Sequence, residues 1–357
     1  MDRRIIILGA GFDLNLDKLK EKHKSMIETL LEVNMQELQK MKKELRNKYL
    51  GICRCAQFGL CAANTVWGET FEKVKEVNSE YWSVMLGTAI GESTTLYHNQ
   101  CRVLMEQGPM WLMPSIVTNK GPKVTADIFS IEKNLMGSSL TFESGRNSSG
   151  MAVLNAFDEI RNNHLDGSVV IGTEYIDDVL LEALKTMNYD CTYYTSGACA
   201  LVLVSDEMCN LDNNFNEQIK LLSVEAVGGA GKPFEYSDEL GENFTYTVSK
   251  VIEDAEIEFS QIDAVVYTSC NNETADCTVK DTIEKILPKQ VDIISVGELL
   301  GDYIGANSAV ALGLGYRLLK NQQTVVGNVL KPKHQSLVLI VSYTVSGSVW
   351  AAVIQKN

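Results

Sequence analysis

Four stretches of this chain are too continuously apolar to keep a wet face. "GSVVIGTEY" (167–175) and "GACALVLVSD" (197–206) lie in the first half, and "SLVLIVSY" (336–343) and "SVWAAVIQK" (348–356) close the second. Short runs rich in Val, Ile and Leu, bounded by polar and turn-forming residues, read as strands covered on both faces. Segments of helical period alternate with the strands. Over 150–163, Val153, Leu154, Phe157 and Ile160 share one face, and further helices are predicted over 277–287 and near 305–320. The alternation predicts an α/β fold.

The rhythm occurs twice. After a polar stretch, "NLDNNFNEQI" (210–219), come a strand at 220–227, a helix near 245–256, the strand "DAVVYTS", a helix, the strand "VDIISV", a helix and the two closing strands. We therefore expect two duplicated halves, 1–210 and 211–357. "RRIIILGAGF" reads as a short strand running into a glycine turn, but Leu14 stands where a dinucleotide fingerprint needs its third glycine. Residues 15–48 read as a charged, solvated helix pair, and 92–107 as a helix.

The totals exclude some functions. A formal charge of −14 repels phosphate backbones, which argues against nucleic acid. The opening apolar run is too short for a signal peptide or a membrane span, so a cytoplasmic protein is expected. Cys53, Cys55 and Cys61 cluster, but no fourth ligand stands at a zinc spacing. Buried free thiols are the simpler reading, and neither metal nor cofactor is expected.

The stretch "LTFESGRNSSGMAVLNAF" (140–157) combines a strand, a tight polar turn and a helix, an arrangement that commonly presents a nucleophile. This turn holds Arg146, Asn147, Ser148 and Ser149, with neither cysteine nor histidine. No base accompanies the serines, and helix capping accounts for them.

Several segments, in order, resemble a β-ketoacyl synthase of the thiolase superfamily: "RRIIILGAG", "GTAIGES", "GPKVTADIFSIEKNLMGSSLTFESGRNSSG", "AFDEIRNNHLDGSVVIGTEY", "VGELLGDYIGANSAVALGLGYRLL" and "SYTVSGSVWAAVI". The resemblance implies the thiolase fold, two duplicated halves in a layered α-β-α-β-α arrangement. It also implies three chemical positions, a nucleophilic Cys and two His. Counting from Gly137 and from Ile160 puts the Cys at Arg146; a slip of one residue would give Asn147. The histidines fall on Thr268 and Asp302, and the family's Lys falls on Gly297. Of four histidines in the chain, His23, His98, His164 and His334, only His334 belongs to the second half. A guanidinium offers no lone pair for attack on a thioester, and imidazole donors to a developing oxyanion are missing.

The resemblance thus narrows to the chain length factor, or ketosynthase β, of type II polyketide synthases: a non-catalytic subunit that heterodimerises with an active ketosynthase and shapes the elongation tunnel. Acyl carrier protein would engage mainly through the partner. By the same resemblance Tyr97, Val103, Leu104, Met105, Met110 and Trp111 are tunnel candidates, and Leu140, Thr141, Phe142 and Glu143 are dimer-interface candidates. Arg146 either fills the old acyl pocket, the simpler expectation, or holds a carboxylate, with Glu143 the local candidate. Cys199 and Cys270 are expected to be buried, and Asp302 to be a structural carboxylate. The competing readings are a divergent thiolase-fold acyltransferase or malonyl decarboxylase, and a homodimeric binding protein that sequesters acyl chains.

Overall fold

The computed structural model describes residues 3–49, 51–91, 93–112, 121–187, 191–209, 218–232, 234–287, 291–326 and 329–356; the side chains of 22 and 92–98 are not described. The expected boundary at 210–211 lies outside these residues.

The strands are β1 (Ile5–Leu14), β2 (Trp82–Gly87), β3 (Ser139–Phe142), β4 (Gly167–Glu174), β5 (Gly197–Ser205), β6 (Ile219–Val227), β7 (Ala264–Tyr267), β8 (Asp292–Ser295), β9 (Gln323–Val326), β10 (Val329–Pro332), β11 (Leu337–Tyr343) and β12 (Val349–Lys356). Ten of them run in the order β3-β2-β4-β5-β1-β6-β12-β11-β7-β8, and β9 and β10 form a separate hairpin. The pairing pattern is the same in both halves. In the first, β3, β2 and β4 are parallel, and β5 and β1 follow antiparallel. In the second, β8, β7 and β11 are parallel, and β12 and β6 follow antiparallel. The halves join where β1 meets β6 antiparallel, Ile5 to Ile7 facing Leu221 to Ile219. This repeated order is the duplication that the apolar rhythm predicted.

Side-chain alternation explains why the strands have no polar face. On β5, Cys199, Leu201 and Leu203 enter a central cluster, while Ala198, Ala200, Val202 and Val204 enter an outer one. On β11, Val338 and Ile340 join the same central cluster, while Leu339, Val341 and Tyr343 join the outer cluster of the second half. Between the halves lie the helices Ser148–Arg161 and Asn307–Asn321, each touching strands of both. The outer layers are the helices Arg54–Thr70 and Val124–Lys133 on one side, and Leu240–Asp254 and Glu273–Ile286 on the other. Helix, sheet, helix, sheet and helix thus follow in layers, as the α/β thiolase reading expects.

Several local expectations differ. No glycine turn ends the first strand: β1 runs ten residues, through Gly9 and Gly11, with an irregularity between Ile7 and Gly9. These glycines let the helix Arg54–Thr70 lie close, since a Cβ on Gly11 would sit 2.4 Å from Ala62 O and one on Gly9 2.7 Å from Thr70 Cγ2. The charged pair, helices Glu21–Leu31 and Met35–Lys48, is amphipathic rather than merely solvated, burying Ile27, Leu30, Leu31, Leu38 and Leu45. The helix expected over 150–163 spans Ser148–Arg161. Helices Val124–Lys133 and Asp178–Thr186 and the β9–β10 hairpin carried no sequence reading.

The middle layer tolerates little added volume. A Cβ on Gly87 would meet Ser149 Cα at 2.2 Å and Ser149 N at 2.3 Å, both backbone atoms that cannot step aside. Gly87→Ala is therefore expected to lower unfolding free energy by about 3 kcal/mol or more, the upper end of overpacking costs. Gly68→Ala, in a helix with open space around it, is expected to be neutral or stabilising by up to about 1 kcal/mol. Urea denaturation of both variants checks the contrast.

Candidate functional site

The site lies where the two central helices begin. Strand β3 leads through a turn, Gly145–Asn147, into the helix Ser148–Arg161. In the other half β8 leads through residues 296–306 into the helix Asn307–Asn321. Arg146 and Asp302 occupy these two turns, one from each half. Gly145 opens the first turn with φ +61, a backbone conformation that glycine adopts without penalty.

The two side chains meet. Arg146 Nη2 donates to Asp302 Oδ2 at 2.7 Å and to Ser269 O at 2.5 Å. Asp302 is fully enclosed. Its Oδ2 also accepts from Asn271 Nδ2 at 2.5 Å, and its Oδ1 accepts from Ile304 N at 2.9 Å and Asn307 Nδ2 at 2.8 Å. Four donors thus saturate one carboxylate. Burial opposes the charge on Arg146, but Asp302 beside it more than offsets that and holds the guanidinium above its ordinary range. Glu143, the expected local partner, is solvent-exposed, so the carboxylate that Arg146 holds comes from the second half. The reason is topological: the two strand-to-helix turns face each other across the duplicated fold.

Thr268, where the resemblance puts a histidine, joins by a relay. Thr268 Oγ1 donates to Ser342 Oγ at 3.3 Å, and Ser342 Oγ donates to Asn147 Oδ1 at 2.8 Å, next to Arg146. Asn147 Nδ2 continues to Ser348 Oγ at 3.1 Å. The serines depart from the capping expectation. Ser148 Oγ closes the turn, donating to Gly145 O at 2.6 Å and accepting from Ser144 N at 2.8 Å. Ser149 Oγ accepts from Ala309 N at 3.0 Å, so it caps the helix of the opposite half.

Two cysteines were expected to be buried, and both are. Cys270 donates through Sγ to Asp276 Oδ1 at 3.4 Å; burial pushes its thiol up to about 12, although Arg146 pulls the other way. Asp276 also accepts from Ser269 Oγ at 2.7 Å and Tyr343 OH at 2.6 Å. A thiol so far from ionisation is a poor nucleophile at neutral pH. Cys101 and Cys277 are exposed, unlike the buried thiols expected throughout.

A family model for the β-ketoacyl synthase N-terminal domain matches residues 16–200, more than half of the chain. The chain belongs to the β-ketoacyl synthase family. No curated protein matches its sequence. Its fold is similar to that in a structure of a type II polyketide synthase acyl-carrier protein in complex with its ketosynthase bound to the hexaketide, with TM-score 0.80, 12% identity and full coverage of both chains. It is also similar to the ishigamide ketosynthase/chain length factor, with TM-score 0.81, 14% identity and full coverage of both chains. A ketosynthase in complex with its chain length factor from Xenorhabdus doucetiae gives TM-score 0.73 at 13% identity, covering 99% of this chain and 98% of that one.

In this β-ketoacyl synthase family member the remaining candidates stand as follows. Leu140, Thr141 and Phe142 lie on β3, the edge strand of the large sheet, with Leu140 and the adjoining Glu143 exposed. Leu104, Met105, Met110 and Trp111 are exposed and face outward in the single chain, and Val103 is half-buried. The side chain of Tyr97 lies outside the described residues. No helix among the described residues is long and apolar enough to cross a membrane.

Sequence reasoning passed over Glu174. This enclosed carboxylate accepts from Ala89 N at 2.7 Å, Ile90 N at 3.2 Å, Gly91 N at 2.6 Å, Gly305 N at 3.2 Å and Thr88 Oγ1 at 3.1 Å. It ties the loop after β2 to the turn that carries Asp302. Its signal was an acidic residue ending an otherwise apolar strand.

Two predictions follow from this geometry. Asp302→Asn leaves Arg146 charged and without its counter-ion, and is expected to cost about 3–5 kcal/mol, as broken buried pairs do. Combined with Arg146→Met it should cost less than the sum by at least about 1 kcal/mol, read by urea denaturation as a double-mutant cycle. The second concerns pH. Burial raises the Glu174 carboxyl from 4.5 to about 7, against the pull of the backbone donors. The folded chain then binds a proton that the unfolded chain releases. That contribution is fully present below pH 4.5 and is lost as pH rises through about 7. The melting-temperature gap between wild type and Glu174→Gln should therefore change between about pH 5 and about pH 8. A gap independent of pH would show that the carboxylate stays ionised.

Proposed function

We propose that this chain is a non-catalytic, ketosynthase-like chain length factor that heterodimerises with an active ketosynthase and shapes the tunnel in which a polyketide or polyene chain grows. The observation that carries the reading is the Arg146–Asp302 pair. It fills, from both halves, positions where the family's Cys and a His are expected. Neither group attacks a thioester, and Asp302 has its acceptor capacity taken up by four donors. Thr268, at the other histidine position, donates its hydroxyl to Ser342.

The edge position of β3 supports the partner reading. An edge strand leaves one row of backbone donors and acceptors unpaired, and Leu140, Met136 and Ile131 are exposed nearby. An obligate partner would cover roughly 2,000 Å² or more. Leu104, Met105, Met110 and Trp111, exposed on the single chain, are the side chains that this reading assigns to the tunnel wall. Carrier protein is acidic, as this chain is, so the active partner supplies the basic docking face.

The test is intact-mass spectrometry after incubation with malonyl- and acyl-carrier protein. The purified chain alone should gain no acyl mass and release no carbon dioxide. Co-expressed with a ketosynthase that has its Cys and both His, it should form a 1:1 complex that makes product. Arg146→Ala should weaken that complex or alter product length. A covalent acyl adduct on the isolated chain would instead support the acyltransferase reading.

A further inference from the structure

Glu174, the last residue of β4, fastens one short segment to both halves of the molecule. Its Oε1 accepts from Thr88 Oγ1, Ile90 N and Gly91 N, and its Oε2 accepts from Ala89 N and Gly305 N. A carboxylate offers about four lone-pair sites, so its acceptor capacity is used up. One enclosed side chain thus fixes the backbone of 89–91 residue by residue, and no solvent reaches it to replace a lost partner. The turn that carries Asp302 is fastened with it. A Cβ on Gly305 would sit 2.3 Å from Ala89 N, so the two backbones lie in direct contact. Ala89 and Ile90 also pack on a small apolar cluster that includes Leu180, Leu184 and Ile304.

What this segment leads into gives the fastening a consequence. Gly91, at φ +61, stands two residues before the helix Ser93–Gln107. From 99 to 107 the side chains of that helix are exposed or half-buried, and none is buried. A helix with so little buried surface there takes its place from its root and from its neighbours. Its root is the segment that Glu174 holds, and it touches the helix Asp178–Thr186, whose Leu180 and Leu184 pack on that same segment. The helix carries Val103, Leu104 and Met105, and the turn at the other end of the fastening carries Asp302.

We propose that Glu174 is a positioning residue: through the segment 88–91 it sets where the helix Ser93–Gln107 stands relative to the Arg146–Asp302 pair, and thereby the length of the tunnel. The tunnel part of this claim rests on the function proposed above. Glu174→Gln tests it, because a carboxamide keeps one acceptor oxygen and turns an NH2 toward N–H donors. Thr88→Val, which removes only the side-chain donor, is a milder second variant should the first not fold. Amide hydrogen exchange on the full-length chain at about pH 8, where the carboxylate is charged, is the first readout. Glu174→Gln should speed exchange over 89–91 and over the helix Ser93–Gln107 by at least about tenfold, with β4 and β5 unchanged, and Thr88→Val should act in the same places to a smaller extent. Glu182→Gln, on the exposed face of the helix Asp178–Thr186, should do neither. The second readout is product length in the complex with an active ketosynthase. A role in folding alone would lower the yield of complex and leave product length as it was, whereas a positioning role shifts or broadens the length distribution at equal complex concentration. Unchanged exchange over 93–107, or altered exchange with unchanged product length, would overturn the proposal. The exchange arm needs no partner, so a wild-type chain that forms no productive complex would count against the proposed function and leave the positioning of the helix to be decided by exchange.

Discussion

Two helices, one from each half, begin within hydrogen-bond reach of each other, and the rest of the fold is arranged around that meeting. Ser149, at the start of the first, accepts the backbone N–H of Ala309 near the start of the second. Gly87 lies against the backbone of Ser149, and Gly305 lies against Ala89. Such closeness brings two positive helix ends together in a low-dielectric interior. The interior must then contain negative charge. Asp302 provides it beside Arg146, and the carboxyl oxygens of Glu174 stand as acceptors on the other side of the turn 302–306; both residues accept backbone N–H groups from that turn.

This electrostatic demand also bears on the chemistry. Converging donors around a small enclosed space are what an oxyanion requires in a transition state. Here the donors are already occupied. Arg146, Asn271, Asn307 and the Ile304 N–H all donate to Asp302. The Arg146 guanidinium and Asp302 also require each other. An arginine without the carboxylate would add a third positive element to two helix ends, and a carboxylate without the arginine would rest on neutral donors alone. Under the proposed function, the two substitutions form one change made at two places.

What the sequence disclosed, and what it withheld, follows from the range of the interactions involved. The strands β4, β5, β11 and β12 were legible because burial on both faces leaves a local mark, an unbroken apolar run. Arg146 was legible as a site because a strand, a polar turn and a helix are adjacent in the chain. Its partner was not: Asp302 lies 156 residues away, and only the duplicated topology brings the turns together. Gly9 and Gly11 suggested a turn because glycine is usually read locally, whereas here it answers to a helix packed from elsewhere. The Ser149 cap failed in the same way, since the helix it serves belongs to the other half. The helix Val124–Lys133 went unread although Val124, Ala126 and Phe129 are buried, because its apolar face is short and interrupted by polar residues.

The turn that holds Asp302 shows how the two halves of such a fold are fastened together. Ile304 has φ +45, a left-handed conformation that a β-branched residue adopts only under constraint, at a cost of order 1–3 kcal/mol. The constraint is visible. Ile304 N is held by Asp302, its side chain packs with Leu180, Leu184 and Tyr194, and the following Gly305 donates to Glu174. Strain at a site of this kind is often taken as a sign of catalysis. In this chain it accompanies a carboxylate that is internally satisfied and a thiol held far from ionisation. The strained turn therefore has a sufficient mechanical reason: it is the seam along which the halves are fastened. A seam of that kind preserves the geometry of a reactive centre whether or not reactive groups occupy it.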